Sequence, residues 1–99
     1  MDAMSVHVVA HFNARPETLE AVRKLVTGFI EPTRKEAGCI TYVLAQNDAN
    51  PLELTFIEEW ESNAALDAHL QTPHLKQGAA QLAGLLAQPG DIRRYTLIG

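Results

Sequence analysis

The chain opens on a stretch, residues 4–12, in which β-branched, aromatic and histidine side chains alternate loosely, the two-residue period of a strand. Behind a start signal at Pro16, Leu19, Val22, Val26 and Phe29 then recur at helical spacing, with Glu20, Arg23 and Lys24 on the wet side. Pro32 interrupts this ladder, so the piece to Glu36 reads as a kinked or restarted turn of helix, stopped by Gly38. The period of two returns over Cys39–Gln46, with Ile40, Tyr42 and Leu44 on one face and Thr41, Val43 and Ala45 on the other. Turn residues 47–51 (NDANP) join it as a hairpin to Leu52–Trp60, where Leu54, Phe56, Glu58 and Trp60 share a side opposite Thr55, Ile57 and Glu59. Ser62 is placed to cap a short helix carrying Leu66, His69 and Leu70. Thr72 and Pro73 repeat the cap-and-start signal for a helix to about Ala87, with Leu75, Ala79, Leu82 and Leu86 as its apolar stripe. Pro89 and Gly90 end it, and Ile92–Ile98 is the last strand.

The order β-α-β-β-α-β, with its second helical unit broken in two, is the split βαβ pattern of a ferredoxin-like α+β sandwich: a four-stranded antiparallel sheet with helices on one face. A sheet covered on one side should alternate apolar and polar. Here Val9, Val43, Ile57 and Leu97 oppose Val8, Tyr42, Phe56 and Ile98, so the second face also wants a cover. The expectation is a homodimer in which two such sheets pack together.

At 99 residues the chain has room for one domain, 1–99, without repeats or linkers. Eight Lys and Arg against twelve Asp and Glu leave a net charge of −4, and the basic residues never gather into a stripe, which excludes a nucleic-acid partner. The single cysteine, Cys39, cannot form an internal disulfide and fits a reducing interior. No signal peptide or long apolar run is present, so the expectation is a cytoplasmic protein with no membrane partner.

Chemistry must come from four histidines, one tryptophan and a few carboxylates. His69, between Leu66 and Leu70, aims an imidazole at the core side of its helix, where it could act as a general base or hold a phenolate; it could equally be a core histidine satisfied by one hydrogen bond. His7 and His11 share a side of the first strand, and either line the same cavity or sit at a wet dimer seam. His74, off the apolar stripe, reads as a capping or surface residue. Trp60 is large enough to wall a cavity, although packing alone also explains it. Glu58 and Glu59 point to opposite faces and cannot form a carboxylate pair. His69 and His74 are five apart with Pro73 between them, so the spacing argues against a shared metal, and phosphate-loop, nucleophile-elbow and haem-attachment motifs are absent.

The runs Glu58-Glu59-Trp60-Glu61-Ser62 and Ala68-His69-Leu70-Gln71-Thr72-Pro73-His74, preceded by Glu36-Ala37-Gly38-Cys39-Ile40, resemble the antibiotic biosynthesis monooxygenase (ABM) family, and within it the small bacterial quinol monooxygenases. The likeness spans almost the whole chain. It implies a dimeric α+β barrel of two ferredoxin-like units, each with a pocket between sheet and helices. It also implies oxygenation of a small aromatic quinol or polyphenol by dioxygen without flavin, haem or metal. Triplet dioxygen reacts slowly with singlet organic molecules unless something donates one electron, usually a cofactor, but an ionised quinol is electron-rich enough itself. The protein then supplies a base, an oxyanion partner and a dry cavity. By the resemblance His69 matches the helix histidine, as base or phenolate partner, and Trp60 the pocket tryptophan, with Phe56 a second wall. His11 is a second polar contact, where the haem-degrading branch has asparagine, and Tyr42 or Glu58 orients the substrate. Two other readings stand beside this one: an isomerase or lyase of a small hydroxyketone or phosphorylated metabolite, which would need Arg93 or Arg94 as a clamp, and a non-catalytic module holding an aromatic or haem ligand.

Overall fold

The computed structural model describes residues 5–99. Strand β1 (Val6–Asn13) leads through a short 3-10 turn (Pro16–Thr18) into α1 (Leu19–Thr27) and α2 (Ile30–Arg34). A hairpin of β2 (Cys39–Gln46) and β3 (Glu53–Trp60) follows, then α3 (Asn63–Leu70), α4 (Pro73–Ala83) and β4 (Asp91–Tyr95). All strand pairs are antiparallel in the order β2-β3-β1-β4, the ferredoxin-like arrangement. The helices lie on one face: α2 along β2, α3 along β3, and α1 against α4. The predicted first-strand residue Met4 lies outside the described residues.

The period of two decides which side chains enter the core. Val6, Val8, Ala10 and Phe12 of β1 and Leu54, Phe56, Glu58 and Trp60 of β3 point under the helices and are buried. Their neighbours His7, Val9, His11, Thr55, Ile57 and Glu59 take the outer face. Phe56 is the centre of the aromatic packing, 4.7 Å from the Tyr42 ring, stacked, and 6.2 Å from both Phe12 and Phe29. On α1 and its continuation Val22, Val26 and Phe29 are buried, as the helical stripe requires.

Four sequence expectations fail locally. Ile40 does not share the inner face with Tyr42: Cys39 pairs with Trp60 and Thr41 with Glu59, so Ile40 is the extra residue of a β-bulge and is exposed, while Cys39 packs on the core. On α4 the close inward contact is made by Gly78, not Ala79, because a Cβ at position 78 would clash with the ring of Phe29, which follows α1. That helix stops at Ala83, with Leu85 and Leu86 tied by backbone hydrogen bonding in the following turn and an isolated bridge to Ala14. The last strand ends at Tyr95, leaving Leu97 and Ile98 exposed beyond it.

The outer face remains uncovered. Ile40, Val43, Ile57 and Tyr95 are exposed large apolar groups, from 39% at Val43 to 50% at Ile40. Among the described residues no helix is long and apolar enough to cross a membrane.

Candidate active site

The inner face and the helix layer enclose an apolar cavity of about 40 Å³. Its walls are Val8, Ala10, Phe12, Tyr42 and Phe56 from the sheet, Phe29, Leu66, Leu70 and Leu75 from the helices, and Ile92 at its half-exposed rim. The polar exceptions among the charged and titratable side chains are Glu58 and His69, besides the Tyr42 hydroxyl. Space of that size holds a water molecule or two, against the roughly 150 Å³ in which a benzene ring is held in an engineered cavity. An aromatic substrate therefore requires the rim side chains Leu70, Leu75 and Ile92 to give way, and a haem would require the helix layer to open.

His69 reaches this wall because Ser62 caps α3, its Oγ accepting from the Ala65 amide at 3.1 Å, which fixes the helix phase as the sequence indicates. Thr72 departs from its expected role. Its hydroxyl caps no amide of α4 but donates to the His69 carbonyl at 2.8 Å, closing the corner between the two helices over the site. The His69 ring lies 4.6 Å from Trp60 and 5.6 Å, edge-on, from Tyr42. Burial pushes its pKa down to about 4, with the charge of His74 acting in the same direction.

Behind His69 stands a residue that the sequence singled out only within a motif. Glu36, in the turn between α2 and β2, places Oε1 2.9 Å from His69 Nδ1 and Oε2 3.4 Å from His74 Nε2. Gly38 permits this turn: it sits at φ +86°, and a Cβ there would meet the Ala65 Cβ at 2.5 Å. With Nδ1–H donated to Glu36, the neutral His69 ring keeps its lone pair on Nε2, which has no hydrogen-bond partner among the described residues. Burial raises the Glu36 pKa, and the charge of His74 opposes it. The spacing argument that separated His69 from His74 is thus corrected. Five residues and a proline put them on different helices, and the break turns both toward one carboxylate, with one donor atom from each of the three residues within 4.8 Å of the others. His74, also 3.2 Å from the Thr33 hydroxyl, is neither a simple cap nor a free surface group.

Glu58 is buried beside the same cavity. Trp60 Nε1 donates to its Oε1 at 2.8 Å, leaving Oε2 without a hydrogen-bond partner among the described residues. Burial raises its pKa to about 7, the Trp60 hydrogen bond opposing and the Glu36 charge assisting. Burial, then the charge of Glu58, also drives the Tyr42 hydroxyl well above its usual range, so it stays a neutral phenol. Trp60 itself lies under His69 and Glu58, fully buried, and is not a cavity wall.

His11 does not join this site. It sits on the outer face, its Nδ1 2.9 Å from Thr55 Oγ1 and 3.8 Å from Glu53. His7 is on that face too, 3.8 Å from Glu59. The strand's period of two separates both from the cavity by the thickness of the sheet. Arg93 pairs with Asp91, and Arg94 with Asp67 and Asn63, both at the surface; neither lines the cavity, so no cationic clamp for a phosphorylated ligand is formed there.

A four-stranded ferredoxin-like sheet covered on one face by helices, with a small apolar cavity, a buried carboxyl and a histidine oriented by a second carboxylate, sets the class of the protein as an α+β domain. The antibiotic biosynthesis monooxygenase family model matches residues 5–81, and the chain belongs to that family. It is 40% identical over 84 residues to the "Putative monooxygenase Rv0793" of Mycobacterium tuberculosis, covering 85% of this chain and 82% of that one. The solved structure of Rv0793 superposes with a TM-score of 0.91 over 96% of both chains. The chain is 32% identical to the "Probable quinol monooxygenase YgiN" of Escherichia coli, over 78% of this chain and 84% of that protein. It is also 34% identical to the Synechocystis protein sll1783, of whose length it spans only 61%.

Proposed function

We propose that the chain is a cofactor-independent monooxygenase that oxidises a small aromatic quinol with dioxygen. The observation that carries the reading is the pairing, around one apolar cavity, of a carboxyl with a pKa near neutrality and a neutral histidine with an open Nε2. Family membership and the names of Rv0793 and YgiN support it. In this scheme one hydroxyl of the quinol donates to His69 Nε2 and Glu58 takes the proton of the other, whereas the sequence reading makes His69 the base or phenolate partner and Glu58 an orienting group. A carboxylate with a pKa near 7 is a better proton acceptor at neutral pH than an imidazole whose pKa is about 4. Phe56 and Tyr42 flank the ring, and Trp60 orients Glu58 and His69 from below.

The resulting quinolate donates one electron to dioxygen, and the radical pair combines at ring carbon to a hydroperoxide. Loss of water leaves a hydroxylated quinone: quinol and dioxygen become hydroxyquinone and water, and the quinol supplies all four electrons. Excluding bulk water keeps the quinolate reactive and the radical pair together. A second copy of the chain covers the outer sheet face through Ile40, Val43, Ile57 and Tyr95, which a concentration-independent monomer mass in light scattering would disprove.

The decisive test is incubation with a panel of hydroquinones, aerobically and anaerobically, while following oxygen consumption with isotopically labelled dioxygen. The expected result is one dioxygen consumed per quinol and one labelled oxygen in the product. Product formed equally without dioxygen, or hydrogen peroxide with no label incorporated, rejects the reading.

A further inference from the structure

The cluster behind the cavity has the composition and spacing of a metal site. Glu36 comes from the turn before β2, His69 from α3 and His74 from the first turn of α4, and their donor atoms all lie within 4.8 Å of one another. The His69–Glu36 and Glu36–His74 separations are 2.9 and 3.4 Å. A tetrahedral ion bound at about 2.1 Å sets neighbouring donors about 3.4 Å apart, the spacing of Glu36 Oε2 and His74 Nε2, while the Oε1–His69 Nδ1 pair, now at hydrogen-bond distance, would open toward it. Glu36 Oε2 is also buried with no hydrogen-bond partner among the described residues, since the His74 ring, although near, is poorly aligned with it. Such an orphaned oxygen is costly, and a cation would satisfy it.

We propose that Glu36, His69 and His74 bind a divalent transition ion of the zinc class, and that its binding turns His69 from a hydrogen-bond acceptor into a donor toward the cavity. Two imidazoles and one carboxylate suit Zn²⁺ and its first-row neighbours rather than the all-oxygen preferences of Ca²⁺ or Mg²⁺, and leave a coordination position for water. The ion has its own way in. His74 is 29% exposed at its side chain and lines an open groove of about 550 Å³ between α1 and α4, so entry does not pass through the apolar cavity.

The switch follows from the two nitrogens of one ring. In the metal-free protein Nδ1 carries the proton and donates it to Glu36, leaving the Nε2 lone pair for a ligand. An ion on Nδ1 displaces that proton, and the neutral ring then carries its hydrogen on Nε2. The acceptor for a quinol hydroxyl is gone. This second half rests on the function proposed above, whereas the ion site does not.

Co²⁺ titrated into the full chain should give a visible d–d band saturating at one ion per chain and displaced by Zn²⁺. His74→Ala and Glu36→Gln, each confirmed folded by circular dichroism, should weaken binding at least tenfold, and the outer-face pair His7→Ala/His11→Ala should leave it unchanged. No band, equal affinity in His74→Ala, or loss in the outer-face pair overturns the site. Zn²⁺ should inhibit quinol-dependent oxygen uptake by the wild type, while whatever uptake His74→Ala retains should be insensitive to it. Stimulation by the ion overturns the switch. A saturable band in a protein that consumes no oxygen with any quinol upholds the ion site and rejects the functional reading alone.

Discussion

The two faces of the sheet carry the same kinds of residue and treat them in opposite ways. His11 and Glu53 on the outer face lie 3.8 Å apart, with side chains 38% and 25% exposed. His69 and Glu36 behind the inner face are 2.9 Å apart at 3% and 16%. Water solvates the first pair and the protein must solvate the second, so only on the inner side do burial and neighbouring dipoles choose tautomer and protonation state. Adjacent residues of one strand show the same split: Glu58 is held by Trp60 in the core while Glu59 accepts from Ser5 at the surface. A histidine and a carboxylate become a candidate site when they share a cavity, and the alternation of a strand decides which of them do.

The strongest way to break this contrast is activity. Glu58→Gln removes the proton acceptor without changing the volume, and we expect quinol-dependent oxygen uptake to fall by about 10²–10⁴-fold. His69→Ala should abolish uptake while leaving the chain folded, and His11→Ala should change it by less than about twofold. An oxygen electrode decides the matter, and a large His11 effect would erase the distinction between the faces. Stability probes it next. Trp60→Ala empties fully buried volume and orphans Glu58, for an expected loss of about 3–5 kcal/mol in chemical denaturation. Ile57→Ser, on the outer face, should instead lower the sedimentation mass of the proposed dimer at a given concentration and leave the monomer fold intact.

The pH dependence of folding sharpens the contrast further, measured with a chelator present. The folded pKa of Glu58, about 7, lies above its ordinary 4.5, so the unfolded chain binds fewer protons there and stability is lost as pH rises from 4.5 through 7. His69 runs the other way: its folded value of about 4 lies below 6.5, and stability is lost as pH falls through that window. The two slopes oppose each other between 4.5 and 6.5. Glu58→Gln should expose the histidine slope and gain about 2 kcal/mol at pH 8, whereas Glu59→Gln should stay within about 0.5 kcal/mol of wild type. The smallest effect concerns the rim. Ile92→Ala should raise kcat/KM for bulkier hydroquinones by a few-fold, since that half-exposed side chain closes a cavity too small for them.

Most of the fold was legible in one dimension because strand and helix periods are local. The alternation through Leu54, Phe56, Glu58 and Trp60 and the stripe Val22, Val26, Phe29 predict which side chains are buried, and the β-α-β-β-α-β order predicts the sheet. Deviations came where a single residue changed phase: the bulge at Ile40, the use of Gly78 over Ala79, the end of the last strand at Tyr95. Each depends on what lies opposite, an aromatic ring or a partner strand, and local propensity contains no information about that.

The candidate site divides along the same line. The sequence alone determined that His69 faces the core, that Glu58 and Glu59 part company, and that the chain shares the motifs of its family. Tertiary structure alone decided that Glu36 orients His69, that His74 joins them across a helix break, and that His11 is excluded by the thickness of a sheet. The reason is physical. Periodicity fixes the direction of a side chain relative to its own element, but hydrogen bonds, desolvation and ion binding depend on distances of about 3 Å between atoms of different elements, and only packing sets those.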